Sequence, residues 1–329
     1  MKSLSKVLSA IAVAAALVAS PSSHASTVAA ANMNIFSLGL VNAAGTPFGA
    51  GDGTLTVVSE SRTGTASANY NGVSSVGPGP SSITSTTVGA TVNVLHRILG
   101  DVAGATPLYG GVMENNGFTH LTGPGTVNFA LGDMVIAGTA IGGGVQGLTR
   151  ADAMTAGPNN IGGANATIQN SAQITGQFTV GSTFVGALAI AVDWFIRTFV
   201  SEGAGVTGTA SAGFGWNMIV TSPNDAGFAP LVFFPTDLNQ SYFSTDASEN
   251  QLFTDNNSIP NAPAGLSGNG QLYTSELRTF TEGRLYNFAI NQSSNAAVSE
   301  QLAVPEPGSI ALLGLGLLGM AALRRRKSV

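Results

Sequence analysis

Between residues 206 and 220 the chain alternates with a period of two. Val206, Gly208, Ala210, Ala212, Phe214, Trp216, Met218 and Val220 share one parity, while Thr, Ser, Gly and Asn fill most of the other. A helix would scatter these residues round its circumference, whereas a strand places them on one face, so the segment reads as a half-buried strand or hairpin. Residues 172–180 repeat the pattern, with Ile174, Phe178 and Val180 set against Thr175, Gln177 and Thr179. Residues 87–95 do so again through Val88, Ala90, Val92 and Val94, and shorter candidates lie at 53–59, 125–131, 231–234, 272–280 and 284–291. Turn formers punctuate them, among them Gly77-Pro78-Gly79-Pro80, Gly123-Pro124-Gly125, Pro158-Asn159-Asn160 and the run from Ser222 to Gly227. Many short strands joined by such turns predict an all-β fold, an antiparallel β-sandwich with jelly-roll-like connectivity.

Residues 184–200 are ambiguous. Asp193 and Arg197 stand four apart, as a helical ion pair would, and Ser182 and Gly203 suit the two ends of a helix. The β-branched and aromatic residues Val185, Ile190, Val192, Trp194, Phe195, Ile196, Phe199 and Val200 favour strands instead. An Asp and an Arg within the run argue against a membrane span.

The two ends of the chain differ from the rest. Residues 1–25 begin with Lys2 and Lys6, continue through an apolar stretch from Val7 to Ala19, and break at Pro21 before Ser23-His24-Ala25. This is the pattern of an export signal cut by signal peptidase between Ala25 and Ser26, because the apolar run is shorter than a spanning helix needs. At the other end Pro305-Glu306-Pro307 precedes an uncharged segment, 308–323, and then Arg324, Arg325, Arg326 and Lys327. As a helix, sixteen residues reach about 24 Å, nearly across a hydrocarbon core of about 30 Å, with snorkelling Arg and Lys side chains making up the difference. The four cations hold the C-terminus in the cytoplasm and the body outside. The prolines keep Glu306 in an extended tripeptide beside the bilayer. The expected organisation is a signal peptide (1–25), a β-sandwich ectodomain (26–303) and a sorting segment (304–329).

The order of Pro-Glu-Pro, Gly/Leu-rich helix and terminal basic cluster resembles the PEP-CTERM sorting domain of exported proteins from Gram-negative bacteria. The resemblance implies recognition of Pro305, Glu306 and Pro307 by an exosortase, a transpeptidase-like membrane protease. It also implies transient anchoring in the inner membrane, with delivery to the cell surface or an exopolysaccharide matrix. Residues 231–238 and 281–288 are similar, more loosely, to sandwich ectodomains common among PEP-CTERM proteins.

Composition excludes much else. With no cysteine there is no disulfide framework, thiolate metal site or cysteine nucleophile. Residues 26–303 carry six arginines, no lysine and sixteen carboxylates, a net charge of −10 that disfavours nucleic acid and anionic lipid. The body therefore meets the membrane only through the C-terminal helix. His96 and His120 are the histidines left after signal removal, there is no Gly-x-Ser-x-Gly elbow, and a Ser-Lys dyad is impossible without an internal Lys. Residues 142–147 match Gly-x-Gly-x-x-Gly without a surrounding βαβ unit and read as a loop. Asp237, Asp246, Glu249 and Asp255, interspersed with asparagines, are hard oxygen donors that suit Ca²⁺ but lack EF-hand spacing, so a solvated acidic loop is favoured. Trp194, Trp216 and the tyrosines offer rings for sugar stacking, although Trp216 lies on the apolar parity of its strand. The expectation is a non-catalytic surface or matrix protein without a cofactor, acting in biofilm or exopolysaccharide architecture. The alternative is an extracellular carbohydrate-binding or carbohydrate-hydrolysing protein.

Overall fold

A computed structural model describes residues 26–49, 51–74, 82–100, 128–141, 144–156, 164–200, 206–245, 249–254 and 271–302. The first half holds β1 (Ser26–Asn42), β2 (Leu55–Tyr70), β3 (Val73–Ser74), β4 (Ser82–Ser85), β5 (Val92–Gly100), β6 (Phe129–Ala137), β7 (Gln146–Ala156) and β8 (Ala164–Val180). The second holds β9 (Phe184–Val200), β10 (Val206–Thr221), β11 (Leu231–Phe233), β12 (Asn239–Thr245), β13 (Glu249–Thr254), β14 (Gln271–Thr274), β15 (Arg278–Phe280) and β16 (Leu285–Leu302). A 3-10 turn, Thr236–Leu238, precedes β12.

The strands form two antiparallel sheets. The first runs β13-β9-β1-β7-β6-β5, with β14 and β15 also on β9; the second runs β11-β10-β16-β8-β2-β3, with β12 on β10 and β4 on β2. They stack face to face, β1 over β10 and β16, β7 over β16 and β8, and β6 over β8 and β2. Six strands of 16–18 residues, each about 55 Å long, form the plate. The two-sheet, antiparallel architecture expected from the alternation is present. Ala210, Ala212, Phe214, Trp216, Met218 and Val220 all point into the buried interior.

Sheet membership repeats along the chain. Taking strands in order, one of the first sheet is followed by three of the second, three of the first and one of the second, and β9–β16 repeat that order. Pairings repeat too: β1–β7 and β9–β15, β2–β8 and β10–β16, β2–β3 and β10–β11, β2–β4 and β10–β12. The halves join by like pairing with like, β1 with β9 and β8 with β16.

Residues 184–200 are a strand. Every residue from Gly186 to Thr198 is buried, on both faces. Ile190, Val192, Trp194 and Ile196 enter the sandwich. On the far face Phe195 and Phe199 pack with Val28, Ala30, Phe129, Leu131 and Met154. Beside them the buried Arg150 bonds Asp152 at 2.6 Å, and Asn32 reaches the same carboxylate at 3.3 Å. Asp193 and Arg197, four residues apart on a strand, are about 13 Å from each other and sit opposite different residues of β1, Asn34 and Ala30. Arg197 lies over the Phe199 ring, 5.5 Å from its centroid.

Three other boundaries move. Residues 87–95 are not one strand: Gly89 takes a positive φ of 72° and β5 starts at Val92. Residues 272–280 split into β14 and β15 around Ser275, whose amide bonds the Leu188 carbonyl at 2.9 Å. Gly147, expected in a loop, lies within β7, where a Cβ would stand 2.6 Å from Gln292 Oε1 of the opposite sheet. The predicted signal (1–25) and sorting segment (304–329) lie outside the described residues, and no helix among the described residues is long and apolar enough to cross a membrane.

Candidate functional site

The sandwich interior leaves no room for a ligand larger than water where Ile35, Leu38, Gly147 and Gln292 meet, since the cavity there is about 20 Å³. Gln292 donates instead to the Met33 carbonyl at 3.0 Å and to Thr149 Oγ1 at 3.1 Å, and Thr149 shares a 2.7 Å hydroxyl contact with Ser294. This polar seam ties the two sheets together across the core.

The open site is at the edge. β11 borders the second sheet and β14 the first, and between them lies a groove of about 360 Å³. Its walls include Val232, Phe234, Asp237, Tyr273 and Glu276. Local sequence explains the shape: Pro235 in the extended region ends β11 and the 3-10 turn lifts Asp237 towards the groove while Leu238 is buried behind it. Asn239 locks the turn by donating to the Pro235 and Trp216 carbonyls, both at 2.9 Å. Phe234 is 52% exposed, so one ring is open to solvent at the groove wall.

Tyr273 is half-buried. Its hydroxyl accepts a 3.4 Å bond from Trp194 Nε1 and also faces Asp237. Burial, reinforced by the Asp237 charge, pushes the Tyr273 phenol up to about 12. It therefore keeps its proton at neutral pH and serves as a hydrogen-bond donor. Glu276 is ion-paired with Arg278, an exposed contact of the kind that contributes little to stability. Asp237 and Glu276 could both accept bonds from a polyhydroxylated ligand. Glycoside hydrolysis asks more, a carboxyl that surrenders a proton opposite one that does not, and Glu276 is already engaged by Arg278.

At the far end of the plate from Ser26, Phe178, Phe228, Phe280 and Tyr286 form a ring cluster with centroids 5.0–6.1 Å apart. The Tyr286 hydroxyl accepts from the Thr281 amide at 2.6 Å, and Thr281 Oγ1 donates to Asp225 at 2.8 Å. That bond, together with the Gly227 amide and the charge of Arg284, holds the Asp225 carboxyl below the usual carboxylate range against the opposing effect of desolvation.

Of the four acidic residues grouped by the sequence, the structure places Asp237 on the groove. Asp246 and Asp255 lie outside the described residues, and Glu249 opens β13 on the far side of β9 from β1. No cluster of three or more His, Asp or Glu that could hold a metal occurs among the described residues. Trp194 and Trp216 are buried and offer no stacking platform. The sequence offered Tyr273 only as one of five tyrosines and Glu276 not at all, and the pairing of β14 with β9 brings them to Asp237. His120, Ala25 and the sorting residues Pro305, Glu306, Pro307, Arg324, Arg325, Arg326 and Lys327 lie outside the described residues, as does the side chain of His96; Ser26 opens β1.

The last described strand, β16, ends at Leu302, one residue before the C-terminal segment that matches a known family. Residues 303–327 match the PEP-CTERM protein-sorting motif. No curated protein and no solved structure matches the chain. The chain is thus an exported protein carrying a PEP-CTERM sorting motif, addressed to an exosortase and to the cell surface through a transient membrane anchor.

Proposed function

We propose that the exported body is a non-catalytic structural component of the cell surface or extracellular matrix, associated with exopolysaccharide and acting without a cofactor. Signal peptidase frees it between Ala25 and Ser26, and the exosortase acts at Pro305-Glu306-Pro307. The observation that supports this reading is the outer face of the second sheet. Across β2, β8, β16 and β10 the outward residues run in rows such as Thr63, Gln173, Asn291 and Asn217, mostly hydroxyls, amides and small groups with Val58 and Ile219 among them, and no charged side chain at the described positions. Dispersed soluble domains coat such areas with Lys, Glu, Asp and Arg; an uncharged polar plate suits a dense, hydrated matrix. The test is to fractionate producing cells and assay the processed protein on neutral polysaccharides. Retention in the matrix fraction with no saccharide released is expected, whereas release abolished by Asp237→Asn would overturn the reading.

The edge groove favours a second reading, carbohydrate binding. An exposed Phe234 ring beside Tyr273, Asp237 and Glu276 offers a stacking face with hydrogen-bonding groups around it. In that case Phe234→Ala lowers retention on immobilised polysaccharide without changing thermal stability. For Ca²⁺, EDTA followed by Ca²⁺ is expected to leave the melting temperature unmoved, and a rise on adding Ca²⁺ would assign a site to the acidic residues.

A further inference from the structure

We infer that two copies of this protein stack through the outer faces of their second sheets, which deepens, and rests on, the structural reading above. Three features of that face carry the inference: size, charge and self-complementarity.

Four strands at about 4.8 Å spacing and about 50 Å length give roughly 1,000 Å² per copy, more than the ~800 Å² a stable partner contributes. The body carries −10 overall, yet Glu60, Arg62 and Glu300 of these strands point inward and are buried. Approach through the described outward positions of these strands therefore brings no carboxylates into opposition.

The rows are also self-complementary. Gln173 Nε2 donates to Asn291 Oδ1 at 3.0 Å and Asn291 Nδ2 to Asn217 Oδ1 at 3.0 Å; Gln177 donates likewise to Asn287, and Thr65 and Ser171 share a 2.7 Å bond. Each amide has two N–H donors and two acceptor positions, so bonding along the row leaves capacity pointing outward. A two-fold copy presents the same donors and acceptors reversed, which is the condition for an isologous interface. Two such sheets pack about 10 Å apart with strands aligned near −30°. The described outward positions of these four strands hold no aromatic ring; the same face carries one at its edge, Phe243 on β12, opposite Ser211 and 61% exposed.

The experiment is sedimentation velocity on the processed protein purified from producing cells, as wild type, Gln173→Glu, Ser293→Glu and Val185→Glu. Wild type and Val185→Glu, which is remote on β9, are expected to be dimers. Gln173→Glu and Ser293→Glu are expected to dissociate about tenfold or more readily, with salt restoring part of the loss and melting temperature unchanged. A monomer at every concentration, or a dimer indifferent to both charges, overturns the inference. A monomer that co-sediments with neutral polysaccharide and loses it on Gln173→Glu also overturns it, assigning the face to a glycan. None of these outcomes touches the non-catalytic reading, which fails only on saccharide release.

Discussion

Arg62 is wholly buried on the inner face of β2, and its position shows what the interior demands of a charge. Its guanidinium bonds Glu60 from Nε at 2.7 Å and also from Nη2, and it donates to the carbonyls of Ala90 and Gly138. One side chain thereby closes three segments over the edge of the sandwich. Removing it strands a buried carboxylate and two carbonyls, so Arg62→Met is expected to cost about 3–5 kcal/mol in urea unfolding. Glu60→Leu with Arg62→Met recovers the ionic part of that loss but not the carbonyl part. Gly138 cannot give way: its φ is 79° and a Cβ would collide with the Gly144 carbonyl oxygen. Gly138→Ala is therefore expected to destabilise by several kcal/mol, the range set by a clash combined with left-handed backbone. At the ring cluster, Asp225 has a folded-state pKa below its unfolded value near 3.9. It stabilises the fold above that value, and the contribution disappears as pH falls through the folded pKa. The stability difference between wild type and Asp225→Asn should thus be full at pH 6 and shrink below about pH 4, measured by thermal melts across that window.

Strands differ in how openly they declare themselves. β10 could be read from its sequence because one face meets water and the other the core, so apolar and polar residues alternate from Ala210 to Val220. β9 showed itself only through its β-branched and aromatic residues, because both of its faces are buried and the alternation vanishes; its Asp193–Arg197 spacing imitates a helical ion pair that a strand pulls apart. The groove was less legible still. Asp237 could be singled out as an acidic loop residue, but its neighbours Tyr273 and Glu276 arrive through a strand register fixed by β9, which local sequence does not encode. Element by element, protection should follow pairing: β1, β9, β8 and β16, each paired on both sides, are expected to exchange amide protons slowest, and β3, β4 and β11 fastest. Slow exchange in β11 would contradict its placement at an edge. The short strands β11, β12, β14 and β15 along β10 and β9 leave no long open ladder for another chain to extend.

The molecule as a whole is two halves of one strand plan woven through each other. Since β1 pairs with β9 and β8 with β16, separating the halves breaks two of the four long ladders, and each half keeps one, β2–β8 or β10–β16. Cutting the chain in the short turn between β8 and β9 should give two fragments that aggregate apart and regain the native circular dichroism and melting transition when refolded together. Independent folding of either fragment would refute the interdependence. The strand ends gather at one pole: Thr27 at the start of β1 pairs with Val200, and Gly208, two residues into β10, packs against both, while Val206 pairs with Leu302. The sorting segment therefore leaves the plate at the end of an 18-residue strand held on both sides by antiparallel neighbours. A pull on that segment while the body is held elsewhere runs along β16 and loads both of its ladders in shear at once, rather than peeling bonds one at a time. While the transient anchor holds, the point of attachment is thus a strand whose two flanking ladders each run sixteen residue pairs.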